Sequence, residues 1–140
     1  MQIRRLRLQN FRQHADTVLE LDRGLTGIIG PNGAGKTTLL EAIAWAMYGM
    51  PAARGSRETI RRRGAPARSR VEVELEFALG SHRYRILRTL QNAELYQDHE
   101  PEPIANSLGT VTERVTRLLG MTREEFFNTY FTGQKELAVM

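Results

Sequence analysis

Eight consecutive residues carry the chemistry of this sequence. Gly30-Pro31-Asn32-Gly33-Ala34-Gly35-Lys36-Thr37 matches the phosphate-cradling pattern G-x-x-x-x-G-K-[ST]. Its glycines let the backbone wrap a phosphate closely, so that successive N–H groups converge on one anion. A helix beginning here adds the partial positive charge of its N-terminus. In such an arrangement the Lys36 ammonium reaches the β- and γ-phosphates of ATP. The Thr37 hydroxyl ligates Mg²⁺, and Thr38 adds an α-phosphate contact. Asn32, Gly33, Ala34, Gly35, Lys36, Thr37 and Thr38 are thus the expected nucleotide-binding residues.

The neighbouring elements must hold that loop. Leu25–Ile29 is an apolar run suited to a buried strand, leading into the glycines. Lys36–Tyr48 reads as a helix, with Leu39, Leu40, Ile43 and Met47 on one face and Gly49 at its C-terminal cap. Trp45, on the same helix, reads as packing. Upstream, Ile3–Leu8 and Thr17–Leu21 are short mixed runs that read as strands. Downstream, Val71–Leu79 alternates apolar residues with Glu72, Glu74 and Glu76, as a half-buried strand does. Gly80-Ser81 then makes a hairpin turn that sets Phe77 opposite Tyr84, Leu75 opposite Ile86 and Glu76 opposite Arg85. A third strand follows at Glu94–Gln97, and Glu100–Asn106, with two prolines, is a loop. Thr110–Leu119 is helical, with Gly120 after it. Thr122 and Glu125 form a capping box that opens a last helix carrying Phe126, Phe127, Tyr130 and Phe131, and this helix ends near Gly133.

Composition narrows the class. The chain has 140 residues, 41% hydrophobic and 26% charged, which suits one folded domain with a buried core. No apolar run approaches the ~20 residues of a membrane helix, and cysteine is absent, so disulfides and thiolate metal sites are excluded. The cytoplasm is the expected location. The net charge of +4 comes mostly from arginine; Lys36 and Lys135 are the two lysines. Seven arginines fall within 54–70, with Glu58 the one acid among them. That segment reads either as a solvated basic loop or as a phosphate contact, to ATP at the Arg57–Glu58 end or to DNA backbone. No aromatic residue interleaves these arginines, so base stacking is not supported. His14, His82 and His99 lack metal-ligand spacing.

A phosphate loop serves many chemistries, and the flanks narrow them. Leu6-Arg7-Leu8-Gln9-Asn10-Phe11-Arg12 resembles the opening of the SbcC, SMC and RecF group of DNA-repair and chromosome ATPases. Leu39-Leu40-Glu41-Ala42-Ile43 and Tyr48-Gly49 resemble the same group. Leu119-Gly120-Met121, Phe126-Phe127 and Phe131-Thr132-Gly133-Gln134 resemble the SbcC branch approaching its Q-loop. The resemblance implies an α/β fold, the N-terminal half of an ABC-type ATPase head over residues 1–140, with an antiparallel β portion. It implies that Gln134 helps ligate Mg²⁺ and senses the γ-phosphate, and that Arg12 sits near the phosphates. ABC transporters share the loop, but their Q-loops come sooner than the 98 positions that separate Gln134 from Lys36. An SMC-type DNA-organising protein and a RecF-like DNA-repair loader stay open beside the SbcC-type reading.

The resemblance also implies what lies outside these residues. No apolar run here ends in Asp-Glu, and neither a Ser-Gly-Gly signature nor a sustained heptad pattern occurs. No catalytic residue is therefore expected within the 140, and hydrolysis by them alone is expected to be negligible. The implied partners are the C-terminal half of the same head, a second head, an SbcD-type nuclease subunit and DNA. The implied location is the nucleoid, and no membrane is involved.

Overall fold

The computed structural model describes residues 2–11, 14–20, 33–49 and 71–130. Five strands form one sheet: β1 (Gln2–Phe11), β2 (His14–Glu20), β3 (Glu72–Leu79), β4 (His82–Thr89) and β5 (Ala93–Gln97). Their order is β2-β1-β3-β4-β5, and every neighbouring pair is antiparallel. Three helices are described with it: α1 (Gly33–Tyr48), α2 (Leu108–Leu119) and α3 (Arg123–Tyr130). The fold is α/β, as expected. The strand expected at Leu25–Ile29, the basic segment 54–70 and the helix end expected near Gly133 lie outside the described residues.

Alternation builds the sheet. Val73, Leu75 and Phe77 of β3 are buried and face Arg88, Ile86 and Tyr84 of β4, while Glu72, Glu74 and Glu76 point to the other face. The hairpin register is the one expected, Phe77 opposite Tyr84 and Leu75 opposite Ile86, and the Phe77 and Tyr84 rings stack at 5.3 Å. On the polar face Glu74 lies between two cations, bonded to Arg5 of β1 and 3.4 Å from Arg85 of β4. Strand β1 breaks strict alternation twice. A bulge between Ile3 and Arg5 moves the next inward residue to Leu6. Asn10, at φ 53°, resets the strand again so that Phe11 also turns inward. These two irregularities explain why β1 does not read as a clean period-2 strand.

The core lies between this sheet and the helices. Its largest buried side chains include Trp45, Phe11, Phe77 and Phe126. Helix α1 differs from expectation in two respects: it starts at Gly33 rather than Lys36, and every residue from Leu39 to Tyr48 is buried, Glu41 included, so it has no solvent face in this stretch. Ala42, Ala44 and Ala46 give it the narrow profile that close contact with β1, β3, β4, α2 and α3 requires. Helix α2 begins two residues earlier than the sequence suggests, because Ser107 and Thr110 form a capping box. The expected box at Thr122 and Glu125 is present, with the Thr122 N–H on Glu125 Oε1 at 2.8 Å and the Glu125 N–H on Thr122 Oγ1 at 3.2 Å. The loop before α2 also adds an antiparallel bridge from Ala105 to Leu95.

Candidate nucleotide-binding site

The phosphate-binding pattern falls on the start of the buried helix. Helix α1 begins at Gly33, so Gly33, Ala34, Gly35 and Lys36 form its first turn, and Thr37 and Thr38 follow directly. The first four N–H groups of an α-helix have no partner within it. In α1 these belong to the motif residues themselves. The first turn contains no acidic residue that would repel an anion. Two of the residues in that turn are glycines, which carry no side chain of their own. This arrangement fits a polyphosphate. Of the expected binding residues, α1 brings together Gly33, Ala34, Gly35, Lys36, Thr37 and Thr38. Asn32, Arg12, Arg57, Glu58 and Gln134 lie outside the described residues.

Packing further along α1 fixes its place. Trp45 meets Phe11 at the end of β1, with ring centroids 5.7 Å apart. The helix closes at Gly49, whose φ is 73° and whose N–H donates to Trp45 O at 2.7 Å. Three further bonds converge on this end. Arg88 Nε donates to Ala46 O at 2.9 Å, and Thr112 Oγ1 donates to Tyr48 O at 3.1 Å. Tyr48 Oη donates to Met121 O at 3.1 Å.

Arg88 is the residue that sequence reasoning passed over. It is 2% exposed and has no carboxylate partner among the described residues. Desolvation lowers its pKa from the ordinary arginine value to about 10, so it remains charged at neutral pH. A signal was available: Arg88 follows Tyr84 and Ile86 at even spacing on the inward face of β4, where a charged residue breaks the apolar pattern.

Family comparison agrees with this geometry. A family model described as an AAA domain matches residues 5–138, nearly the whole chain. The chain belongs to this ATPase-domain family. Its relatives include proteins named DNA double-strand break repair Rad50 ATPase. That of Methanocaldococcus jannaschii is 30% identical over 99% of this chain and 14% of its own length. That of Thermoplasma volcanium is 32% identical over 98% of this chain and 16% of its own length. That of Archaeoglobus fulgidus is 34% identical over 84% of this chain and 12% of its own length. The resemblance to SbcC-type DNA-repair ATPases is borne out by these relatives, and the α/β P-loop class by the family. The chain spans only 12–16% of the length of these relatives. An ATPase domain of this family implies nucleotide binding.

Proposed function

We propose that this chain binds Mg²⁺-ATP at the N-terminus of α1 and forms the N-terminal half of the ATPase head of a DNA double-strand-break repair protein. One observation carries the reading: the G-x-x-x-x-G-K-T motif runs into the first turn of a long helix that is buried from Leu39 onward. A helix so enclosed presents its N-terminal N–H groups at a fixed place, which favours binding of a polyphosphate. The names of the relatives support the repair context.

Lys36 would neutralise the β- and γ-phosphates, Thr37 would ligate the metal, and the remaining motif residues would donate backbone N–H groups. Mg²⁺ would screen the phosphate charge. Arg12, and Arg57 with Glu58, would lie beside the phosphates, and Gln134 would complete the metal and γ-phosphate contacts. The Walker B carboxylates and the signature motif would come from the C-terminal half of the head. Two heads would close on two ATP molecules, binding favouring the closed state and hydrolysis releasing it. That cycle would control a partner nuclease at DNA ends, in the nucleoid.

Co-purification tests the repair assignment. The full-length protein should bring down a metallophosphoesterase nuclease, and ATP should change the rate at which the pair degrades a linear duplex. A stable, nuclease-free protein that bridges DNA would instead support an SMC-type role.

A further inference from the structure

The C-terminal end of α1 is held differently from that of α2. Helix α2 closes on its own backbone: the Gly120 N–H donates to Thr116 O at 2.9 Å. Helix α1 has that backbone closure at Gly49, and in addition its last carbonyls are taken by side chains from two other elements. Arg88 of β4 holds Ala46 O, and Thr112 of α2 holds Tyr48 O. These two clamps are themselves joined, because Arg88 Nη2 donates to Thr112 Oγ1 at 3.1 Å.

Tyr48, the last residue of α1, extends the grip to α3. Its hydroxyl donates to Met121 O at 3.1 Å, just before α3 begins, and its ring meets the buried Phe126 of α3 at 5.7 Å. Apolar contacts alone would let α1 slide by a fraction of an ångström at little cost. Directional bonds resist such sliding, because each one is weakened by displacement, the buried Arg88–Ala46 bond at the greatest cost and the part-buried ones at less. Gly49 adds to the constraint: a Cβ there would lie 2.5 Å from Arg88 Nη1, so the helix end and the guanidinium are in close contact. Burying a charge costs stability that an apolar side chain of similar size would not. A guanidinium here is better explained by placement than by stability.

We infer that Tyr48 and Arg88 are positioning residues, which join the nucleotide-binding helix to α2 and α3 as one rigid unit so that a nucleotide at the N-terminus of α1 is felt along α2 and α3. This deepens the nucleotide-binding reading above and rests on it. Neither residue touches the nucleotide. Helix α1 is 16 residues long, so its two ends stand about 24 Å apart at 1.5 Å per residue. The coupling is mechanical.

Hydrogen exchange with and without Mg²⁺-ATP tests this, alongside nucleotide affinity. In the wild-type protein ATP should slow amide exchange in α2 and α3 as well as in the first turn of α1. Tyr48→Phe removes the bond to Met121 O and keeps the ring against Phe126; Thr112→Val removes both the clamp on Tyr48 O and the acceptor for Arg88. The combined variant should bind ATP within about threefold of wild type, less than the loss of one phosphate hydrogen bond, yet lose the ATP-dependent protection of α2 and α3. Arg88→Lys, which keeps a cation, should retain more of that protection than Arg88→Met. A purely structural role would raise exchange throughout these helices and leave the ATP-dependent difference intact, and that result would overturn the inference. So would wild-type protein that binds ATP with no change in α2 and α3. Wild-type protein that fails to bind ATP would instead overturn the site itself, and the inference with it.

Discussion

Replacing Gly49 by alanine isolates the contact between the nucleotide-binding helix and Arg88. Gly49 and Gly120 occupy the same position relative to their helices and have nearly the same backbone, at φ 73° and φ 68°. Alanine in this left-handed region costs about 1–2 kcal/mol at either site. The surroundings differ. Nothing lies within 4 Å of a Cβ at Gly120, whereas a Cβ at Gly49 would meet Arg88 Nη1 at 2.5 Å and Cζ at 3.2 Å. The guanidinium cannot swing aside freely, because Nε is held by Ala46 O and Nη2 by Thr112. Overpacking of this kind adds about 1–3 kcal/mol. Gly49→Ala should therefore destabilise the protein by about 1–3 kcal/mol more than Gly120→Ala, measured by urea unfolding at neutral pH.

Arg88→Met provides the counter-test. The drop in the Arg88 pKa from the ordinary arginine value to about 10 corresponds to roughly 3 kcal/mol of desolvation. Two hydrogen bonds from a buried charged donor return about 1.5–3 kcal/mol each. Arg88→Met alone should thus cost no more than about 3 kcal/mol. The desolvation burden is present in full below about pH 10 and lifts only as pH rises from there toward the ordinary arginine pKa, so it is constant across an ordinary pH range. Combining Arg88→Met with Gly49→Ala should cost less than the sum of the two single changes, because the clash disappears. Equal effects of Gly49→Ala and Gly120→Ala, or strict additivity in the double variant, would refute this description of the helix end.

Three further outcomes are expected. Ser107→Ala should lower stability by about 1 kcal/mol in urea unfolding, since it removes the side-chain acceptor for the Thr110 N–H at the start of α2. Asp98 should titrate below the usual carboxylate range by NMR, chiefly because the Arg83 N–H donates to it and secondarily because His82 bonds to it. His82→Ala should consequently leave part of that depression in place, because the Arg83 N–H still donates to the carboxylate, and a return to the ordinary value would contradict the assignment. Any stability that depends on this depression is present above the ordinary carboxylate pKa and is lost as pH falls through the lowered one. Thr37→Val should weaken ATP binding in the presence of Mg²⁺ and leave binding in EDTA nearly unchanged, as isothermal calorimetry can show.

Much of the fold was legible because its signals are local. The β3–β4 hairpin combines strict alternation with a Gly-Ser turn, and one register satisfies both the apolar and the charged pairs. The helix start at Thr122 is written in side-chain oxygens three positions apart, whereas the start at Ser107 reads late, at Thr110, because its box partner is a threonine rather than an acid. Other features depend on tertiary context. The burial of α1 from Leu39 to Tyr48 could not be read from an apolar stripe, since its alanines suit a helix surface and a helix core equally well. The bulge in β1 and the left-handed Asn10 answer to the neighbouring strands rather than to a local pattern. For the candidate site the motif singles out Gly33–Thr38 by its glycine, lysine and threonine spacing, and the structure puts these residues at the start of α1. Arg88 escaped the sequence reading because an arginine in a strand is ordinarily solvated, and only the α1 carbonyl and Thr112 explain its burial.

The central claim is that Lys36, in the first turn of α1, holds the phosphates of ATP. Isothermal calorimetry of wild type and Lys36→Ala with Mg²⁺-ATP tests it most directly, with circular dichroism to confirm that both are folded. Loss of a charge-assisted contact of about 1.5–3 kcal/mol should weaken binding by roughly 10- to 150-fold. A folded Lys36→Ala protein that binds ATP as tightly as wild type would contradict the account.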